Sequence, residues 1–125
     1  MSEVYLFQLA TQRTGYLSAR QTLIAQNVAN ANTPGFKALD LKPFSATLAE
    51  TQMSMSVTNS AHLTPTAQEL DPPKAQNSSA GAATVSGNSV DVESEMVHLG
   101  EVNRDFTEAT NIKKIFHQMM MQALK

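Results

Sequence analysis

The chain has no cysteine in 125 residues, which removes both a disulfide framework and any thiolate chemistry and suits either side of a bacterial inner membrane. Aromatic residues are scarce, 6% of the sequence against 42% hydrophobic overall. That is thin material for a self-sufficient core, and it predicts packing against partners. No long run of either charge sign is present and the formal net charge is -2, so the footprint of a nucleic-acid binder is missing. No stretch approaches a membrane-spanning length. The opening residues MSEVYLFQLATQR carry an acid at position 3 and neither a basic leader nor a long apolar run, so a cleavable secretory signal is not expected and export needs another route.

Catalytic signatures are missing as well. The sequence contains no G-x-S-x-G, no glycine-rich phosphate loop and no H-E-x-x-H, and its serines concentrate in a stretch with nothing to hold a nucleophile in place. His62, His98 and His117 are too scattered for a metal site. Asp91, Glu93 and Glu95 form a carboxylate cluster only in the sense that acids gather in a first helical turn, where capping and the helix dipole explain them. Asn77-Ser78-Ser79 matches a glycosylation acceptor, a pattern short enough to arise by chance. These absences exclude an obvious enzyme, a cofactor and a small-molecule substrate.

What is present is helical at both ends. Positions 7, 10, 14, 17, 21, 24, 28 and 31 alternate steps of three and four, and Phe7, Ala10, Leu17, Ile24, Val28 and Ala31 are apolar, a coiled-coil-like seam. Leu9, Tyr16 and Leu23 widen it. Arg13, Arg20 and Asn27 form a polar row beside it, spaced by seven. The signal returns at Leu99, Val102, Phe106, Ala109, Lys113, Phe116, Met120 and Ala123, behind Asp91 as N-cap and with Lys113, Lys114 and Lys125 toward the C-terminal, negative end of the dipole. Such a helix would be roughly 50 Å long. Its last turns are apolar on more than one face, through Ile112, Ile115, Phe116, Met119, Met120, Met121 and Leu124, so several neighbours are implied.

The sequence between the helices differs. FKALDLKPFSATLAE predicts a short extended piece and a helical turn capped by Ser45, and MSMSVT alternates at the period of a strand. Thr64 to Ser89 is rich in Pro, Ser, Ala, Asn and Gly without periodicity, the composition of a segment that is flexible by itself. No internal repeat links the two ends. The division expected is residues 1–36, an N-terminal helix and turn; 37–90, an irregular or β-containing middle; and 91–125, a C-terminal helix. The fold class expected is mainly α.

The first helix stops at NVANANTPGFKA, Asn27 to Ala38. Pro34 and Gly35 suit the second and third positions of a type II turn over Thr33 to Phe36. Asn32 tolerates the left-handed conformation that closes a helix, and Thr33, being before proline, leaves the helical region. Capping accounts for Asn30 and Asn32 but leaves Asn27 unexplained.

The segment RQTLIAQNVANANTPGFKALDLKPF, Arg20 to Phe44, resembles the N-terminal signature of the bacterial flagellar axial proteins, with Val28 in place of the usual isoleucine and Phe36 in place of the usual tyrosine. Within that group the small size, His62-Leu63 and GNSVDVESEM, Gly87 to Met96, are most similar to the proximal rod members. The resemblance implies terminal helices that polymerise into a tube in the basal body. It implies partners in copies of the chain, other rod proteins, a FliE-type adaptor, the inner-membrane ring and the export gate, and export through the flagellar type III apparatus to the periplasmic rod. On that view Asn27, Asn30, Asn32, Thr33, Pro34, Gly35 and Phe36 form an assembly motif whose amides fix the register of a crowded interface without burying charge. Leu17, Ile24, Val28, Leu99, Val102, Phe106, Phe116 and Met120 form the helix-packing face. A sibling rod protein, or a secreted helical-hairpin effector or adaptor of a type III system, would share the two helices and the lack of a cleavable signal.

Overall fold

The computed structural model describes residues 2–51, 74–78 and 84–123. The elements in chain order are α1 (Ser2–Ala29), β1 (Leu39–Leu41), α2 (Phe44–Thr51), β2 (Ala75–Asn77) and α3 (Val92–Ala123). Both long helices run over the predicted spans. The MSMSVT stretch, His62 and most of the Pro- and Ser-rich segment lie outside the described residues.

The long helices pack antiparallel, with Asn27 beside Glu95, Gln21 beside Asn103 and Thr11 beside Lys113. Their shared core is small. Tyr16, Leu17, Ile24, Leu41 and Val102 are buried, with Ala19, Leu23, Phe44, Leu99 and Ala109 packed around them. Leu17, Ile24 and Val102 are the seam residues that the three-four spacing singles out, and Tyr16 and Leu23 are the flanking ones that widen it. Phe44 reaches the helices from α2, its ring 5.4 Å from that of Tyr16 and tilted by 52°. The Arg13 guanidinium lies 5.2 Å from the Phe44 centroid, a cation–π contact that closes this corner of the core.

The β content of the middle is a two-stranded antiparallel sheet in which Leu39, Asp40 and Leu41 pair with Asn77, Gln76 and Ala75. Asn77 and Ser78 of the glycosylation-like triplet are thus part of the sheet and its exit.

Two local expectations need correction. No described residue other than glycine has a positive φ, so Asn32 does not close α1 in the left-handed conformation. Instead the end tightens, with Asn30 N–H reaching Asn27 O, Ala31 N–H reaching Val28 O and Thr33 N–H reaching Asn30 O, the i to i+3 pattern of a helix winding down. Ser45 is not the cap of α2, because Phe44 is already helical and the Pro43 carbonyl accepts from Ala46 and Thr47 N–H; proline suits that entry because it has no N–H to satisfy. Lys113 and Lys114 fall in the C-terminal half of α3 as expected, although its last described turn carries no basic residue and Lys125 is outside the described residues. The α3 start is as expected, with Asp91 Oδ1 accepting from Glu93 N–H and the Asp91 carbonyl from Glu95 N–H.

Burial is graded along the hairpin. The buried helical residues fall between Tyr16 and Asn27 on α1 and at Glu95 and Val102 on α3. Leu6, Phe7, Ile112, Ile115 and Met119 to Met121 at the other end are exposed. In dilute protein, amides of residues 16–27 and 95–102 should exchange at least tenfold more slowly than those of 4–10 and 112–123, because local opening follows buried contact. Uniform strong protection along both helices would show that the open end is stable without a neighbour.

Candidate functional site

The residues of the NVANANTPGFKA motif meet at a corner where α1 ends, β1 begins and the segment leading into α3 passes. Asn27 is 1% exposed. Its Nδ2 donates to Leu39 O at 2.8 Å and to Glu95 Oε1 at 3.0 Å, while its Oδ1 accepts from Leu39 N–H at 2.9 Å. The side chain therefore treats Leu39 as a neighbouring strand would, filling both peptide groups that β2 does not take. A buried amide satisfied on all sides explains why a poor helix former sits in the last turn of α1.

The rest of the polar row finds partners too. Arg13 pairs with Asp105 at 3.1 Å, and Arg20 makes a two-pronged contact to Asp40 at 3.1 and 3.3 Å. The spacing of seven places all three on the side of α1 that faces α3 and β1. Tyr16, whose hydroxyl donates to Lys42 O at 2.8 Å, is held above its ordinary pKa, chiefly by burial.

The turn forms as the Pro-Gly pair predicts. Phe36 N–H reaches Thr33 O, and Gly35 has φ +73°. Residues 84–90, whose composition suggests flexibility only when alone, close against it. Asn88, 2% exposed, donates through Nδ2 to the carbonyls of Asn30, Ala31 and Thr33 at 2.8 to 2.9 Å, taking up acceptors that the end of α1 leaves open. Its Oδ1 accepts from Val90 N–H. Gly35 N–H reaches Ser86 O, Ser89 N–H reaches Phe36 O, and Ser89 Oγ accepts from Ala38 N–H. Order here comes from bonds to another segment, which composition does not reveal. Of the remaining motif residues, Asn30 bonds back to Gln26 O and accepts from Thr33 Oγ1, while Asn32, Thr33 and Pro34 are exposed. Sequence reasoning passed over Asn88 as a contact; its place in GNSVDVESEM was the available signal.

The packing residues divide. Leu17, Ile24 and Val102 are buried between the helices, with Leu99 beside them and Val28 half-buried. Phe106 and Met120 are 39% and 36% exposed, so the single chain covers them only in part. Toward the open end Leu6, Phe7, Phe44, Ile112 and Phe116 line an apolar groove of about 370 Å³ whose charged members are Arg13 and Lys113. Such a groove accommodates apolar side chains, and none of its lining residues is a carboxylate. Among the described residues no group of His, Asp or Glu is placed to hold a metal ion.

Comparison with known proteins gives this architecture its setting. The family model described as flagella basal body rod protein matches residues 16–37, the buried half of α1 together with the turn. The curated flagellar basal body rod protein FlgB of Agrobacterium fabrum (strain C58 / ATCC 33970) is 37% identical over 129 residues, an alignment covering 100% of this chain and 96% of the relative. The chain belongs to the flagellar basal-body rod proteins. Within them its full-length likeness is to FlgB, which makes it a structural subunit of the basal body rather than an enzyme.

Glu95 accepts the Asn27 amide while only 8% exposed, and burial raises its pKa above the ordinary carboxylate value. A raised folded-state pKa means that the folded chain holds this proton more tightly than the unfolded one. The stability it contributes is full below the unfolded value and is lost as pH rises through the folded value. Glu95→Gln, which keeps the Oε1 acceptor, should therefore melt higher than the parent at pH 7, with the gap closing as pH falls toward 4; a variant that melts lower at pH 7 would show that the charge is needed. Gly35→Val should cost about 1 to 3 kcal/mol through its positive φ, while Lys37→Ala, losing one exposed bond to Gly87 O, should stay within about 0.5 kcal/mol. Equal melting temperatures and equal swimming for the two variants would contradict the turn's role.

Proposed function

We propose that the chain builds the membrane-proximal part of the rod by polymerising through the open end of its helical hairpin, alongside copies of itself and other rod proteins. The observation that supports this is the set Ile112, Ile115, Met119, Met120 and Met121, each 36% to 57% exposed in the single chain. These residues point in several directions from one helix, which a single neighbour does not cover. Methionine suits such a contact because its unbranched side chain adapts to irregular surfaces.

Packed in a tube, such helices transmit torque because close-packed side chains resist sliding and twisting. A FliE-type adaptor, the inner-membrane ring and the export gate are the further partners at the proximal end. The chain reaches the periplasmic rod through the flagellar type III apparatus. Among the described residues no helix is long and apolar enough to cross a membrane.

Met120→Asp tests this reading. It should place an unpaired charge in a desolvated contact, a penalty of several kcal/mol repeated at each copy, so that the protein still leaves the cytoplasm in an export assay while no rod forms. Normal swimming of the variant would show that this face stays in water and would remove the main support for assembly through the open end.

A further inference from the structure

A seam of apolar residues repeating every three and four positions has an ambiguity built into it. Sliding one helix along the other by seven residues brings apolar side chains opposite one another again. On α1 the seam recurs at Ala10, Leu17 and Ile24, and on α3 at Leu99, Val102, Phe106 and Ala109. The charged row shares the period. Arg13 meets Asp105, and a slip of seven residues brings Arg20 to the same acid. Neither the seam nor that ion pair distinguishes the native register from its neighbours, so the distinction must come from contacts that do not repeat.

Those contacts are at the corner. Asn88 binds the three carbonyls of Asn30, Ala31 and Thr33, Ser89 is bonded to Phe36 and Ala38, and α3 begins at Val92. A slip of seven residues displaces a helix by roughly 10 Å at 1.5 Å per residue, more than the two residues between Ser89 and Val92 can absorb while these bonds persist. Access to the turn is close as well. A Cβ built on Gly87, whose φ is +77°, would lie 3.6 Å from Gly35 Cα, so the two positive-φ glycines meet face to face.

We propose that residues 84–90 are a register latch: by closing on the Thr-Pro-Gly turn, with Asn88 as the positioning residue, they select one of several heptad-equivalent alignments of α1 and α3. The latch acts within one chain and is set before any neighbour binds.

The absence of cysteine makes the test direct in the full-length monomer. Gln21 and Asn103, whose side chains meet at 3.0 Å, report the native register when both are replaced, as Gln21→Cys with Asn103→Cys, and treated with a short thiol cross-linker. Thr14→Cys or Val28→Cys, each with Asn103→Cys, report slips of seven residues in either direction. With the latch intact the first pair should cross-link within the monomer and the other two should not. Adding Asn88→Asp, which replaces the donor with a carboxylate facing three carbonyls, should lower the native yield several-fold and raise one of the slipped pairs, with helicity retained by circular dichroism. An unchanged pattern would overturn the proposal. If Asn88→Asp unfolds the chain, Gly87→Ala takes its place and is read in the same way: redistribution supports the latch, and native cross-linking alone overturns it.

Discussion

A carboxamide removed from water must have both its donors and its acceptor satisfied inside the protein, since each one left unmade costs about 1 to 3 kcal/mol. At Asn27 this is met by bringing the Leu39 peptide groups and the Glu95 carboxylate to the same side chain. That requirement ties the end of the first helix, the start of the first strand and the first turn of the last helix to one point. The two-stranded sheet, the Thr-Pro-Gly turn and the segment carrying Asn88 all lie around it. A leucine there would leave the Leu39 N–H and carbonyl open and Glu95 with a buried charge and one partner fewer.

The parts of this fold legible in the sequence are those set by periodicity. Leu17, Ile24 and Val102 could be placed in the core because their spacing follows the helical repeat, and Pro34-Gly35 could be placed in a turn because the backbone chemistry of those two residues is local. What resisted reading was nonlocal. Asn88 is an asparagine among glycines and serines, and nothing in its neighbours says that it reaches carbonyls more than fifty residues away. Asn27 was recognisable as an anomaly, a polar residue in a seam-bearing helix, but its partner Leu39 lies beyond a turn whose direction is not written in composition. An interface between subunits was the reading that the family resemblance suggested for its amide; in the folded chain that amide is used internally. Ser45 and Asn32 show a smaller version of the same limit, because cap propensity permits several residues near a helix end and the backbone selects one.

The hairpin therefore has two ends with different physical character. At the corner, order rests on directional bonds among Asn27, Asn88, Ser89 and the glycine pair, which admit one geometry. At the far end, exposed methionine and isoleucine side chains and a shallow groove impose little direction, and dispersion and burial reward any close fit. A subunit for a polymer benefits from that division, because the individual chain keeps its own shape while the surface offered to neighbours adjusts to positions that are not all alike.

The short sheet carries a consequence for how such a chain varies in size. Leu39 to Leu41 and Ala75 to Asn77 pair side by side, so the chain departs and returns through adjacent points and the span between them is cinched at its base. The closure entropy of a span grows only logarithmically with its length, about 0.6 kcal/mol for each doubling. A change in length between the strands therefore adds little closure entropy, provided that Lys42 and Phe44 keep their contacts with Tyr16.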